Sequence, residues 1–237
     1  NLLFKVFLPL LLSCSFTGCN NGSITSIERE NFEIPHDVLV SQCDIGRYGG
    51  IFVLNETTQP TTFNPLVPNN LSTGQVMSYL LSGLIDYDPK EEKFIPGLAK
   101  SWSISEDGLV YTFNLRKDIK WSDGTAFTAE DVEFTFDCVL KEKEGLNEPI
   151  YHTRYYEQYH IDGEPIKYII ENDFKIRFEL PSTYAPFLYD IGFPMLPKHK
   201  LKKYFDNGTL QEQWTTQTAI ESPEEIVGTG AFKIFSY

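Results

Sequence analysis

Polar and apolar residues alternate along two stretches of the chain with the regularity of half-buried strands. In the first, Leu109, Tyr111, Phe113 and Leu115 interleave with Val110, Thr112 and Asn114, which gives the segment one apolar face. Asp107 and Gly108 ahead of it are turn residues, so a hairpin is expected over residues 102–115. In the second, an arm holding Tyr168 and Ile170 turns at Asn172 and Asp173 into Phe174, Ile176, Phe178 and Leu180, and a second hairpin is expected over residues 168–180. Helical spacing occurs elsewhere. Val76, Met77, Leu80, Leu81 and Leu84 fall on one stripe behind Ser72, Thr73, Gly74 and Gln75, which have the S-x-x-Q form of a capping box. Val132, Phe136, Val139 and Leu140 make a similar stripe behind Thr128, Ala129, Glu130 and Asp131. Burial of one helix face against a core explains both stripes.

Between these elements, Trp121, Ser122, Asp123 and Gly124 predict a turn at Asp123-Gly124, with Trp121 covering the core beside it. After Pro181 the texture changes to short helical pieces broken by Pro186, Pro194 and Pro197; a proline suits a helix start, where its missing N–H would have no partner anyway. Short apolar strands are expected at residues 51–54, after Gly49 and Gly50, and at residues 232–235, after Gly228, Thr229 and Gly230. Strands and helices in mixed order, with no internal repeat, indicate an α/β fold. A strand opening so close to Tyr237 is expected to continue in a longer chain.

The first eighteen residues differ from the rest. Lys5 precedes an apolar run at residues 6–12, and small residues follow, the layout of a secretory signal peptide. The run falls well short of the ~20 residues of a membrane-spanning helix, and Pro9 argues against a buried core helix. Phe16, Thr17, Gly18 and Cys19 resemble a bacterial lipobox, although Phe16 stands where Leu is usual. Cys19 is thus the expected lipidation site, with Cys14, behind Leu11, Leu12 and Ser13, as a poorer competitor. Acyl chains contribute about 0.8 kcal/mol per buried CH₂, and more than one makes anchoring stable. Residues 19–45 would then be a lipidated N-terminus and tether, since they lack apolar periodicity.

Composition narrows the function. With 41% hydrophobic and 22% charged residues, the 237-residue chain can bury a core. Its formal net charge of −13 gives no basic surface for phosphates, which argues against nucleic-acid binding. Four cysteines are too few for a disulfide framework; if Cys14 is removed and Cys19 lipidated, Cys43 and Cys138 remain, paired or free. No G-x-S-x-G, H-E-x-x-H or G-x-x-x-x-G-K-[ST] occurs, and no catalytic residue or cofactor is expected. His152, Glu157 and His160 are the one conceivable metal group, but nothing in their spacing holds them together, so no metal site is assigned.

Several motifs in order resemble the bacterial extracellular solute-binding proteins of family 5, which include dipeptide, oligopeptide and nickel receptors. They are Phe63-Asn64-Pro65 with Ser82-Gly83-Leu84; Pro96, Gly97, Leu98 and Ala99 with Ser101 and Trp102; residues 111–116 with Asp118, Lys120, Trp121, Ser122, Asp123, Gly124 and residues 128–132; and Val227, Gly228, Thr229, Gly230, Ala231 and Phe232. The resemblance implies a type II, cluster C periplasmic-binding-protein-like fold. Its first lobe would be split, at residues 46–86 and 180–237, around a smaller inserted α+β domain at residues 87–179, and the second lobe would lie beyond this sequence. It implies the substrate-binding component of an ABC importer, taking di- or oligopeptides to permease subunits on the periplasmic side as an anchored monomer. A non-peptide ligand such as nickel, haem or an oligosaccharide is the alternative, and an envelope hydrolase a distant one. By the same resemblance, Ser72, Thr73 and Gly74 are the ligand-facing candidates of this half, where helix-start N–H groups favour a carboxylate; a plain helix cap is the competing reading.

Overall fold

A central four-stranded antiparallel sheet grows directly out of the two alternating stretches. The computed structural model describes residues 6–7, 56, 58–67, 70–146, 148–153 and 155–236. Strands β1 (Val6–Phe7), β2 (Ile85–Asp88), β3 (Lys93–Pro96), β4 (Ala99–Ile104), β5 (Val110–Leu115), β6 (His160–Ile161), β7 (Glu164–Pro165), β8 (Lys167–Asn172), β9 (Lys175–Glu179) and β10 (Lys233–Ile234) accompany helices α1 (Leu71–Leu80), α2 (Ala129–Leu140), α3 (Phe187–Asp190), α4 (Lys198–Asp206) and α5 (Thr216–Glu221).

Both expected hairpins form, β4–β5 and β8–β9, and they join through β5 and β9 to give the order β4-β5-β9-β8. Tyr111 faces Phe178 and Phe113 faces Ile176 across that central pair, so the alternating residues meet on one buried face. Phe113 and Phe178 pack edge to face at 5.7 Å. Helix α2 covers this face through Phe136, whose ring lies 4.9 Å from Phe178 and 5.6 Å from Tyr168. On its other side Phe134 meets Phe205 of α4 at 5.8 Å.

Helix α2 starts at the cap expected at residues 128–131, and Thr128 and Asp131 form a capping box there. Asp131 does more than that box requires. Its Oδ2 accepts from the Thr128 backbone N–H at 3.0 Å and from the Trp121 indole at 3.3 Å, while its Oδ1 accepts from the Lys198 N–H that opens α4. One carboxylate therefore satisfies donors at two helix starts and fixes Trp121. Burial pushes the Asp131 carboxyl upward despite these bonds.

Helix α1 departs from the sequence expectation at both ends. Its N-cap is Asn70, whose side chain accepts from the Thr73 N–H at 2.8 Å, not Ser72. Asparagine is as good a cap as serine, and the Ser72 hydroxyl is engaged instead with Thr58 at 3.0 Å. The helix closes at Leu80, so Leu81 and Leu84 lie past it, although both are buried. Its last carbonyls are taken by the glycine stretch: Gly230 N–H donates to Leu80 O at 2.9 Å and Phe232 N–H to Tyr79 O at 3.1 Å. A Cβ on Gly228 would lie 1.8 Å from Leu80 O, which explains why this contact needs glycine.

The β2–β3 hairpin was not expected, and the strand predicted at residues 232–235 is the shorter β10, which pairs antiparallel with β1. All described residues fall in one compact unit. No helix among them is long and apolar enough to cross a membrane. The signal-peptide reading (apart from the backbone of β1), Cys14, Cys19, the tether, Cys43 and the strand at residues 51–54 lie outside the described residues. Cys138 is a buried free thiol.

Candidate functional site

The three predicted ligand-facing residues sit together on the first turn of α1, against the segment formed by residues 58–64. Ser72 and Thr73 are 1% and 0% exposed, and their side chains serve that segment. The Ser72 and Thr58 hydroxyls lie 3.0 Å apart, and Thr61 N–H donates to Thr73 Oγ1 at 2.9 Å. Gly74 is exposed, with open space where a Cβ would stand. Leu71, at the first helical position, is 78% exposed. The surface offered at this helix start is thus the Gly74 backbone and the Leu71 side chain, while the two hydroxyls hold the helix in place.

The segment leading into α1 is itself fixed from far along the chain. Asn64, the middle of the Phe63-Asn64-Pro65 motif, donates from Nδ2 to Leu210 O at 2.8 Å and accepts at Oδ1 from Leu66 N–H at 3.0 Å. Phe63 N–H donates to Trp214 O at 2.7 Å. Asn70 reaches back to the same segment, donating to Gln59 O at 3.0 Å.

The Trp121–Gly124 stretch has a structural role. Trp121 is 1% exposed. Asp123 lies 2.7 Å from His199 Nε2 and accepts from Thr125 N–H at 3.0 Å. Burial pushes the Asp123 carboxyl up, but the bonds from His199 and Thr125 together bring it below its ordinary value. A cavity of ≈ 310 Å³ lies between Ser122, Asp123 and residues 223–235, and none of the predicted ligand residues lines it. Among the described residues no group of three or more His, Cys, Asp or Glu is placed to hold a metal ion. His160 turns Nδ1 to Tyr156 O at 2.7 Å, and its Nε2 lies 3.9 Å from Glu142, so His152, Glu157 and His160 do not converge.

These elements define a class. The chain is similar to the DppA periplasmic binding protein of Helicobacter pylori, solved with the peptide STSA (26% identity, TM-score 0.59, 75% of this chain and 35% of that one). It is also similar to a dipeptide-binding protein from Pseudoalteromonas sp. SM9913 solved with Met-Leu (28%, TM-score 0.58, 72% and 34%), and to NikZ from Campylobacter jejuni solved with Ni(L-His) (30%, TM-score 0.56, 78% and 32%). The fold is that of a periplasmic binding protein, of the mixed α/β kind the sequence motifs imply. The chain belongs to the bacterial extracellular solute-binding proteins of family 5, whose middle-region model matches residues 93–237. Among curated relatives it is 32% identical over 193 residues to the dipeptide-binding protein of Escherichia coli, covering 75% of this chain. It is 29% identical over 149 residues to DppE of Bacillus subtilis, covering 61%. The chain spans about a third or less of the length of these relatives, 34% and 25%.

Proposed function

We propose that this chain is part of a receptor that binds di- or oligopeptides outside the inner membrane and hands them to the permease of an ABC importer. The observation that supports this most directly is its likeness to two receptors solved with peptides, STSA and Met-Leu. The start of α1 then supplies one wall of the ligand cleft. Gly74 lets a ligand backbone approach closely, and the helix N-terminus favours its carboxylate. The finer reading is a split lobe at residues 46–86 and 180–237 around an inserted domain at residues 87–179, acting as a monomer. It also includes export by residues 1–18 and anchoring through lipid on Cys19. Mass spectrometry of small molecules co-purifying with the full-length protein tests the reading. Peptides support it, and a homogeneous non-peptide ligand overturns it. The second reading, a receptor for a nickel–amino-acid complex, draws on the likeness to NikZ, and the same experiment would return the metal.

A further inference from the structure

Trp214 is buried, 3% exposed, yet its backbone lies in the left-handed region at φ 57°. That region is an outlier for a bulky residue and persists only where the surroundings over-determine it. Glu92 and Asp162 share a positive φ, but both are exposed turn residues. Trp214 is held from two sides. Its indole donates to Glu225 O at 3.0 Å, and the preceding turn is tied by Asn64 Nδ2 to Leu210 O at 2.8 Å and Gln213 O at 3.4 Å. In this conformation the Trp214 carbonyl accepts from Phe63 N–H at 2.7 Å and from the Thr62 hydroxyl at 3.3 Å, and Thr215 bridges to Thr62. The next residue back, Thr61, donates to Thr73 Oγ1 in the first turn of α1. A chain of hydrogen bonds therefore runs from Trp214 through residues 61–63 to the helix start that the peptide-receptor reading places in the cleft.

We infer that Trp214 is a positioning residue for that site: its left-handed backbone sets where residues 61–63, and through them Thr73 and Gly74, stand. The inference rests on the peptide-receptor reading for the ligand, while the contacts that carry it do not. An ordinary right-handed or extended residue at 214 would turn the carbonyl away from Phe63 N–H. Without that anchor the segment at residues 58–64 loses its register against α1.

The test uses the full-length receptor, calorimetry with the dipeptide Met-Leu, and amide hydrogen exchange below the melting temperature. Trp214→Val removes the indole anchor and, as a β-branched residue, disfavours the left-handed backbone. Asn64→Ala removes the second tie and serves if the first variant fails to fold. The expected result is at least about a tenfold weaker affinity with faster exchange confined to residues 58–75. A merely structural role would lower the melting temperature and leave both readouts unchanged in the folded protein. Exchange at Thr61 and Phe63 as slow as in the parent protein, or affinity within about twofold of the parent in both variants, overturns the inference. Gly74→Leu, which fills the open space at the helix start and leaves the ties of residues 58–64 in place, separates the two levels. If Gly74→Leu weakens Met-Leu binding and Trp214→Val does not, the positioning role fails alone. If Gly74→Leu leaves binding unchanged, the ligand-site reading fails, and exchange at Thr61 and Phe63 still decides whether Trp214 sets the segment.

Discussion

Gly228→Ala puts two opposite physical effects in competition, so the sign of its outcome is informative. Gly228 does not occupy the left-handed region. Adding a methyl group there would ordinarily stabilise the protein by about 0.4–1 kcal/mol, because the unfolded chain loses freedom. The packing opposes this. The new Cβ would lie 1.8 Å from Leu80 O and 2.8 Å from Leu80 C, well inside the ~3.5 Å of ordinary non-bonded contact. Neither partner can retreat easily. Leu80 O accepts from Gly230 N–H at 2.9 Å, and Gly228 is itself tied to Ser122, whose N–H donates to Gly228 O at 2.9 Å. Overpacking costs about 1–3 kcal/mol, and each loosened hydrogen bond about 1 kcal/mol more. The expected net loss is about 3 kcal/mol, or roughly 6–12 °C in Tm for a domain of this size. Urea unfolding followed by circular dichroism measures it, with Gly124→Ala as the control. Gly124 has φ 92° and open space around it, so its variant carries only the left-handed penalty of about 1–2 kcal/mol. A Gly228→Ala protein as stable as its parent, or more so, would refute the steric argument.

Three further outcomes are expected. Asp131→Ala leaves the Thr128, Lys198 and Trp121 donors without their acceptor and should cost roughly 3 kcal/mol in urea unfolding; a loss below about 1 kcal/mol would show that water replaces the carboxylate. Asp123 is held below its ordinary value, so its pairing with His199 stabilises the fold above the unfolded carboxylate value of ~3.9 and is lost as pH falls through the folded one. Asp123→Asn should therefore lower stability by up to about 1 kcal/mol at pH 7 and by less near pH 3, and a constant difference across that range counts against the pairing. If the proposed export and lipidation hold, Cys19→Ser should release the protein from the membrane fraction, whereas release by Cys14→Ser alone would place the anchor at the earlier cysteine.

The parts of the fold legible in the sequence are those whose signal is local. Tyr111, Phe113 and Leu115 alternate within one strand, and the turn residues that close each hairpin stand beside it. The pairing of β5 with β9 is not legible, because it joins segments about sixty residues apart and either hairpin could have presented its other edge. The β2–β3 hairpin escaped for another reason. Its arms hold Asp86, Asp88 and Lys93 among the apolar residues, and most of their length is half-buried or exposed, so no period-2 contrast develops. The sequence pattern carries α1 too far because Leu81 and Leu84 continue the apolar stripe past the point where the Gly230 and Phe232 N–H groups cap the helix from a distant segment.

The candidate site shows the same division more sharply. That a helix begins near Ser72 is local knowledge, and the family motifs point there as well. Which groups face outward depends on residues 58–64, and their position depends on Leu210, Gln213 and Trp214, some 150 residues later in the chain. Two hydroxyls that could serve a ligand are instead used to seat the helix, since Thr58 and Thr61 arrive beside them with groups that need partners. At residue 64 the side-chain amide bridges Leu66 on one side and Leu210 on the other. The Phe63-Asn64-Pro65 motif is therefore a fastening. Its side chain holds a distant turn, and α1 takes its place from that turn through residues 58–64.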